Sequence, residues 1–204
     1  MIKFIVKVFV LLIIAGIILW FVGALESNET LKNDIIRLHI IANSDSEADQ
    51  AEKLKVRDGV LAYIEEEISK LPSKEEAEEY IRSKIADIEK IANDILSENG
   101  SEHIATVKLG LKEFGKRVYE TFSLPSGIYE ALQIEIGEAE GENWWCVVFP
   151  GLCMPGTNDE FCDVAASAGF DQLTVETISN TGGYKIRFFI LDFLGKIENF
   201  LFKH

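Results

Sequence analysis

Three histidines, His39, His103 and His204, are the side chains of this sequence best suited to act as general bases near neutral pH. A hydrolase holds such a base beside a nucleophile, and none of the three lies in a recognisable motif. The sequence has no G-x-S-x-G elbow, no H-E-x-x-H zinc helix and no phosphate-binding loop. His39 lies in an apolar stretch and is interpreted as structural, whereas His103 and His204 are expected to be exposed. We therefore expect no catalytic residue, no enzyme activity and no cofactor.

The acidic segment 45–49 (Asp-Ser-Glu-Ala-Asp) places carboxylates at alternate positions, as at the start of a calcium-binding loop. The resemblance to that loop fails, because Gln50 occupies the position of the turning glycine and Val56 that of the closing glutamate. Carboxylates in the first turn of a helix are explained by the helix dipole alone. The sequence predicts no metal site, and it singles out no carboxylate pair for glycoside hydrolysis.

Cysteines are present in an odd number, at Cys146, Cys153 and Cys162. In an exported protein the simplest account is one disulfide and one free thiol, and Cys146 and Cys153 are near enough in sequence to close a small loop. Three reduced, buried thiols are the alternative. A reduced Cys146 would allow a third kind of function, that of a small exported thiol enzyme.

The N-terminal segment predicts export. Lys3 and Lys7 precede an uncharged stretch of 18 residues, 8–25. This length lies between that of most cleaved signal cores and that of a membrane-spanning helix, so residues 1–25 are interpreted as a signal peptide or a signal anchor. The small residues 22–24 (Val-Gly-Ala) would permit cleavage. Because the lysines stay inside, we expect the rest of the chain to lie outside the producing cell's membrane.

The net charge of −14, from 34 acidic and 20 basic residues, bears on the partners. A body this acidic repels phosphate backbones and anionic lipid, so nucleic acid is not an expected partner. The membrane is an expected partner through the N-terminal segment, if that segment is not cleaved.

Hydrophobic periodicity predicts the α+β class, with residues 26–34 as a linker and 35–204 as a single domain. An apolar, β-branched run at 35–42 is predicted to be a buried strand. Two amphipathic helices follow it, opened by capping-box spacings at Ser44 and Ser73 and separated at Pro72. They are expected to form a helical hairpin packed on the sheet.

Beyond the hairpin the apolar period changes to two, which predicts a mainly antiparallel sheet. The run at 144–149 is apolar on both faces and is predicted to be a central strand. A C-terminal amphipathic helix is predicted at 190–202, and 155–173 is interpreted as a loop or short helix that could be mobile. The other predicted strands lie at 104–112, 129–136 and 184–189.

Trp144 and Trp145 are adjacent in a predicted strand, so their side chains face opposite sides of the sheet. One of them is expected to be exposed beside a polar loop, unless helices cover both faces. An exposed tryptophan is a good anchor for a protein or a sugar. A cell-wall or glycan-binding module is therefore an alternative function.

Three segments together resemble the stage II sporulation protein R family of endospore-forming bacteria. The first is I-R-L-H-I-I-A-N-S-D-S at 36–46, continuing to Asp58, and the second runs from Tyr129 to the string N-W-W-C-V-V-F-P-G-L-C at 143–153. The third is the aromatic segment that begins K-I-R-F-F at Lys185. The string at 143–153 is very specific, although Gly151 stands where a second proline is expected, and Cys162 lies outside the shared pattern.

The resemblance implies export from the forespore into the space between the two membranes that surround it. There the protein would trigger a membrane-embedded aspartic protease of the mother cell, which processes pro-sigma-E. The resemblance also favours a Cys146–Cys153 disulfide. It supplies no list of contact residues, and our own inference places the partner contact on the 143–153 segment, with Asn143, Trp144, Trp145 and Gly151 as the candidates.

Overall fold

A computed structural model describes residues 2–151, 153, 158–167, 170, 172–179 and 185–202 of the chain. The α+β class predicted from the sequence is confirmed. Numbered along the chain, the elements are α1 (Ile2–Asn33), β1 (Ile36–Ile41), α2 (Glu47–Ile68), α3 (Lys74–Glu98), β2 (Ala105–Phe114), β3 (Arg117–Val118), β4 (Ser123–Leu124), β5 (Gly127–Ile136), β6 (Asn143–Phe149), α4 (Asn158–Ser167), α5 (Gln172–Ile178) and α6 (Lys185–Phe202).

The main sheet has four strands in the order β2-β5-β1-β6. β1 is parallel to β5 and antiparallel to β6, and β2 is antiparallel to β5. The sheet is therefore mainly antiparallel, as predicted. Its first strand in sequence, β1, lies inside the sheet between two strands that come much later in the chain. The short strands β3 and β4 form a separate pair.

The helices α2 and α3 form the predicted hairpin and cover one face of the sheet. Their buried side chains, such as Val60 and Ile88, join Leu38 and Leu132 of the sheet in one apolar core. Each helix begins at a serine whose hydroxyl accepts a backbone N–H three residues on. The serine that caps α2 is Ser46, two residues after the predicted Ser44.

A second apolar core lies on the other face of the sheet. Phe114, Tyr129 and Val147 of the sheet pack there with residues of α4 and α5 such as Ala165 and Ile178. The helix α6 also contacts this half of the molecule through β5 and β2. Both faces of the sheet are therefore covered, which explains why β6 is apolar on both sides.

The prediction that 144–149 is a central strand was wrong, because β6 lies at the edge of the sheet. Apolar residues on both faces report that layers lie above and below a strand. They do not report whether the strand has hydrogen-bonded neighbours on both sides. The strand β6 is covered on both faces but has a hydrogen-bonded neighbour on one side only, since its partner in the described sheet is β1 alone.

The predicted strand at 184–189 was also wrong where it is described, because 185–189 form the first turns of α6. Phe189 is followed by Phe193 and Ile197 at helical spacing, and this longer period outweighs the local β propensity of the aromatic residues. The segment interpreted as a loop contains α4 and α5 within its described part, whereas residues 155–157, 168–169, 171 and Tyr184 lie outside the described residues.

The N-terminal segment is helical from Ile2 to Asn33, so the stretch interpreted as a linker continues the same helix as far as Asn33. Many of its apolar side chains are exposed, for example Phe4 and Leu19. Lys32, in its last turn, is buried and forms an ion pair with Glu198 of α6. Over the described part of the chain, no helix combines the length and apolar character needed to cross a membrane.

Candidate partner-binding segment

The strand β6 joins the two motif segments into one structural unit. In the antiparallel β1–β6 pair, Ile41 lies opposite Asn143 and Leu38 lies opposite Cys146. Between them, His39 lies opposite Trp145. The residues of the 36–46 string and of the 143–153 string, far apart in sequence, are therefore direct neighbours across one ladder.

The loop before β6 is bound to the turn after β1. Backbone N–H groups of Glu140 and Gly141 donate to the carbonyls of Asn43 and Ala42, at 3.2 and 3.0 Å. The side-chain oxygen of Asn43 accepts the N–H of Glu138 at 3.0 Å. Because these bonds satisfy backbone donors of the loop, they fix where β6 begins.

Two glycines make this approach possible. Gly137 has a φ of +57°, and a Cβ there would lie 2.2 Å from Asn43 Oδ1. A Cβ on Gly141 would lie 2.3 Å from the backbone oxygen of Ser44. The first glycine supplies a left-handed turn and the second allows two backbones to touch, so the glycines flanking this acidic loop have a structural reason.

Asp49 completes the turn from inside the first turn of α2. Its carboxylate accepts hydrogen bonds from Ser44 Oγ at 2.5 Å and from Asn43 Nδ2 at 2.9 Å. These bonds, led by that from Ser44, lower the pKa of Asp49. Glu52 and His103 also offer ligand atoms within 4.8 Å of the Asp49 carboxylate. The hydrogen bonds from Ser44 and Asn43 give the Asp49 carboxylate a structural role in the turn between β1 and α2.

Trp145 lies on the face of the sheet that carries the second core. Its indole stacks on the His39 imidazole, with ring centroids 3.8 Å apart and planes inclined by 6°. Phe114 meets it edge-on at 4.9 Å, and the guanidinium of Arg117 lies 4.7 Å from its centroid. The ring is therefore half-buried in a cluster of aromatic and cationic groups.

Trp144 lies on the opposite face, against the helical hairpin. The guanidinium of Arg57 in α2 lies 4.1 Å from its ring centroid. The indole Nε1 is buried and has no hydrogen-bond partner among the described residues. Both tryptophans are thus half-buried, and the alternative that both faces of the strand are covered is the one observed.

His39 is buried and neutral. Its Nε2 donates to Asn143 Oδ1 at 2.6 Å, whereas its Nδ1 is buried and meets no hydrogen-bond partner in the described part of the chain. Burial lowers the pKa of His39 to about 4. These contacts agree with its interpretation as a structural histidine. His103 is only partly exposed, and His204 lies outside the described residues.

The far end of β6 carries the disulfide and Gly151. Cys146 and Cys153 are bonded, with Cα atoms 4.8 Å apart, and Cys162 is a free thiol. Gly151 is exposed and borders a groove of about 370 Å³ between the end of α2 and the end of β6. Asn143, Trp144 and Trp145 lie together at the start of the strand, about 13 to 20 Å from its end. The four candidate contact residues therefore lie at two separate positions: three at the start of β6, and Gly151 just beyond its end.

The sequence analysis did not identify Arg37, which is fully buried beside this segment. Its Nη2 donates to the Tyr119 hydroxyl at 2.8 Å, and its guanidinium lies 3.9 Å from the Phe114 centroid and 5.0 Å from that of Tyr129. Within the residues that the structure describes, the Nε and Nη1 atoms have no hydrogen-bond partner. Burial lowers the pKa of Arg37. The available signal was its spacing of two from His39, which places both on one face of β1.

Comparison with known proteins identifies the family. The family model described as stage II sporulation protein R (spore_II_R) matches residues 32–159, which is more than half of the chain. The chain belongs to the stage II sporulation protein R family. Membership in this family implies a role in sporulation.

A curated relative is stage II sporulation protein R of Bacillus subtilis (strain 168), which is 39% identical over 124 residues. The aligned part is 61% of this chain and 55% of that relative, so the chain spans about half of the relative's length. No solved structure matches the chain. The stage II sporulation protein R match contains the first two motif segments, whereas the third, from Lys185, lies beyond it.

Proposed function

We propose that this protein is an exported signal of endospore formation that activates a membrane-embedded aspartic protease of the mother cell and so leads to processing of pro-sigma-E. The observation that carries the proposal is the β1–β6 pair, in which two motif strings that lie within the family match are direct neighbours across one ladder. A preorganised surface of this kind binds a partner at a low cost in conformational entropy.

The groups best suited to chemistry are engaged in structural contacts. His39 is buried, bonded to Asn143 and kept neutral by a pKa of about 4. Cys146 is buried in a disulfide, which argues against the thiol enzyme. A glycan-binding module needs an indole face that is open to the sugar. Arg57 covers a face of Trp144 and His39 covers a face of Trp145, which argues against that alternative. These contacts favour a signalling protein that does none of the cutting.

Export is the second part of the proposal. Lys3 and Lys7 precede an apolar helix whose described side chains are largely exposed, as expected for a segment that enters a membrane during translocation. The domain would then lie in the space between forespore and mother cell, secreted or still tethered by α1. In that space it can reach a protease in the mother-cell membrane without entering the responding cell.

The Gly151 turn offers a clean place to test the contact surface. Gly151 is exposed, and a Cβ added there meets no atom of the described residues within 4 Å. Gly110, on the edge strand β2 at the other side of the sheet, has the same open space. Replacing either glycine by arginine adds the same bulk and charge, so the pair forms a matched test and control.

The test is co-expression of the protease, pro-sigma-E and this protein in a non-sporulating host, with the size of pro-sigma-E followed on a gel. We expect the unmodified protein and Gly110→Arg to give the shorter form and Gly151→Arg to give less of it. If the unmodified protein leaves pro-sigma-E uncut, the signalling proposal is wrong. If both variants trigger normally, the contact lies elsewhere than at the Gly151 end of β6.

A further inference from the structure

The C-terminal helix α6 has its polar side turned into the protein. Asp192 and Asn199 are only 6% and 7% exposed, and Gly195 between them is also buried. The opposite side carries large apolar residues at every fourth position, namely Phe189, Phe193, Ile197 and Leu201, which are 69%, 56%, 43% and 66% exposed. We call these four residues the outer stripe. A helix on the surface of a soluble domain normally shows the reverse arrangement.

Polar contacts fix this orientation of α6. The carboxylate of Asp192 accepts the backbone N–H of Ser126 at 3.1 Å and its hydroxyl at 2.7 Å. The amide of Asn199 donates to the carbonyl of Phe114 at 2.8 Å. Gly195 touches the backbone at Ser126, where an added Cβ would lie 1.6 Å from the carbonyl oxygen. Rotation of the helix would break these bonds and drive a side chain into that contact, so the outer stripe must face outward.

Four exposed apolar side chains on one helix face require a cover. Removing each of them from water is favourable, roughly in proportion to the apolar area that is covered. A contiguous apolar patch of this kind on a folded domain marks a contact with another protein or with a membrane.

The charges around the outer stripe favour lipid. The acidic residues of α6 are Asp192, which is buried, and Glu198, which pairs with Lys32. Lys196 lies beside the stripe and pairs with Asp192 Oδ2 at 2.8 Å, and the exposed Lys116 places its Nζ 5.0 Å from the Phe188 ring at the border of the stripe. In a chain with a net charge of −14, both carboxylates of α6 are thus balanced by lysines, so this face presents apolar groups and the Lys116 cation to its surroundings. That combination complements the acyl chains and phosphates of a lipid surface.

The position of α6 in the molecule also favours contact with lipid. Glu198 binds Lys32 at the last turn of α1, so the outer stripe belongs to the part of the domain that adjoins the apolar N-terminal helix. We infer that α6 lies flat on a phospholipid bilayer, with the outer stripe in the acyl-chain boundary and Lys116 at the phosphates. This binding surface is separate from β6 and does not depend on the signalling role.

The test must report on α6 itself, because α1 is apolar and can bind vesicles alone. In a Cys162→Ser background with the disulfide intact, Phe193→Cys is labelled with an environment-sensitive fluorophore on the full chain. The matched control is Ile104→Cys, at a residue that is 68% exposed and precedes β2. The probe is vesicles of phosphatidylcholine with a minor share of phosphatidylglycerol, with and without nitroxide-labelled lipid.

We expect vesicles to shift the emission of the label at 193 to shorter wavelength and nitroxide lipid to quench it, with neither effect at 104. Adding Phe189→Ser and Leu201→Ser should weaken the lipid contact of the label at 193 by roughly tenfold or more per residue, with the helix content unchanged by circular dichroism. A label at 193 that stays in water while the chain sediments with vesicles overturns the inference. A label already shielded without vesicles and not quenched by nitroxide lipid shows that protein covers the stripe, and overturns it as well.

Discussion

The imidazole of His39 stacks on the indole of Trp145 at 3.8 Å, while its Nε2 donates to Asn143 Oδ1 at 2.6 Å. His39 of the first motif string thus contacts two residues of the second string, Trp145 and Asn143. Because both contacts use the neutral imidazole in a buried place, the stability of this unit depends on pH.

We expect the β1–β6 unit to lose stability as the pH falls. The pKa of His39 is about 4 in the folded chain and near 6.5 when unfolded, so between these values the unfolded state binds more protons. Stability from this group is complete above pH 6.5 and is lost toward pH 4. The loss from pH 7 to pH 5 should be about 1 to 2 kcal/mol.

Urea unfolding at the two pH values measures this loss, with His39→Gln as the comparison. The glutamine amide keeps a donor for Asn143 but does not titrate. We expect the difference between pH 7 and pH 5 to be smaller in the variant by the same amount. Equal differences in the two proteins would show that His39 does not titrate in this range.

The buried Arg37 gives a prediction about the second core. Its guanidinium rests on Phe114 and Tyr129, and no carboxylate of the described residues pairs with it. Burial therefore costs stability that one hydrogen bond to Tyr119 offsets only in part. Arg37→Met should therefore be neutral or stabilising. Tyr119→Phe should lower the free energy of unfolding by about 1 to 3 kcal/mol, because it leaves the buried cation with a further unpaired donor. The reverse order in urea unfolding would contradict this account.

The disulfide is open to a direct chemical test. When the protein is alkylated without reduction, intact mass should show one modified cysteine, Cys162, and an intact Cys146–Cys153 bond. The Cys146→Ser, Cys153→Ser double variant should be less stable by about 2 to 3 kcal/mol, since the bond closes a short loop. Three alkylated cysteines in the untreated protein would contradict the pairing.

Export is tested by a reporter that is active only outside the membrane. Alkaline phosphatase fused after Lys32 should be active, since Lys3 and Lys7 retain the N-terminus on the inner side. The control replaces both lysines by glutamate and should lower that activity. An inactive fusion at normal expression levels would refute export.

The features that local periodicity controls were predictable. The hairpin of α2 and α3 and the strands β1, β2 and β5 follow from the spacing of apolar residues, and the pairing of cysteines followed from the family resemblance. The edge position of β6 was not predictable, because both faces of an edge strand can be buried. The helical state of 185–189 was missed because its aromatic residues favour strands locally, while the helix is held by Asp192 and Asn199 far beyond them.

The candidate site was predictable as a segment but not as an arrangement. The string at 143–153 identified β6, yet the separation of Gly151 from Asn143 depends on the straight run of the strand between them. The support of Trp145 by His39 and of Trp144 by Arg57 depends on strand register and on helix packing. These contacts join residues distant in sequence, and no local pattern encodes them.

The place of β1 between β5 and β6 has a consequence for the order in which the protein can be assembled. Ile36 pairs with Glu130 and Leu38 with Cys146, so the earliest strand must wait for segments made roughly a hundred residues later. Closing a loop of this length costs conformational entropy, and the hydrogen bonds of the β ladder offset that cost only after the strands have met. A nascent or partly translocated chain therefore holds the first motif string without its second half. The completed unit arises only after β6 has emerged, so a fragment ending before Asn143 lacks it altogether.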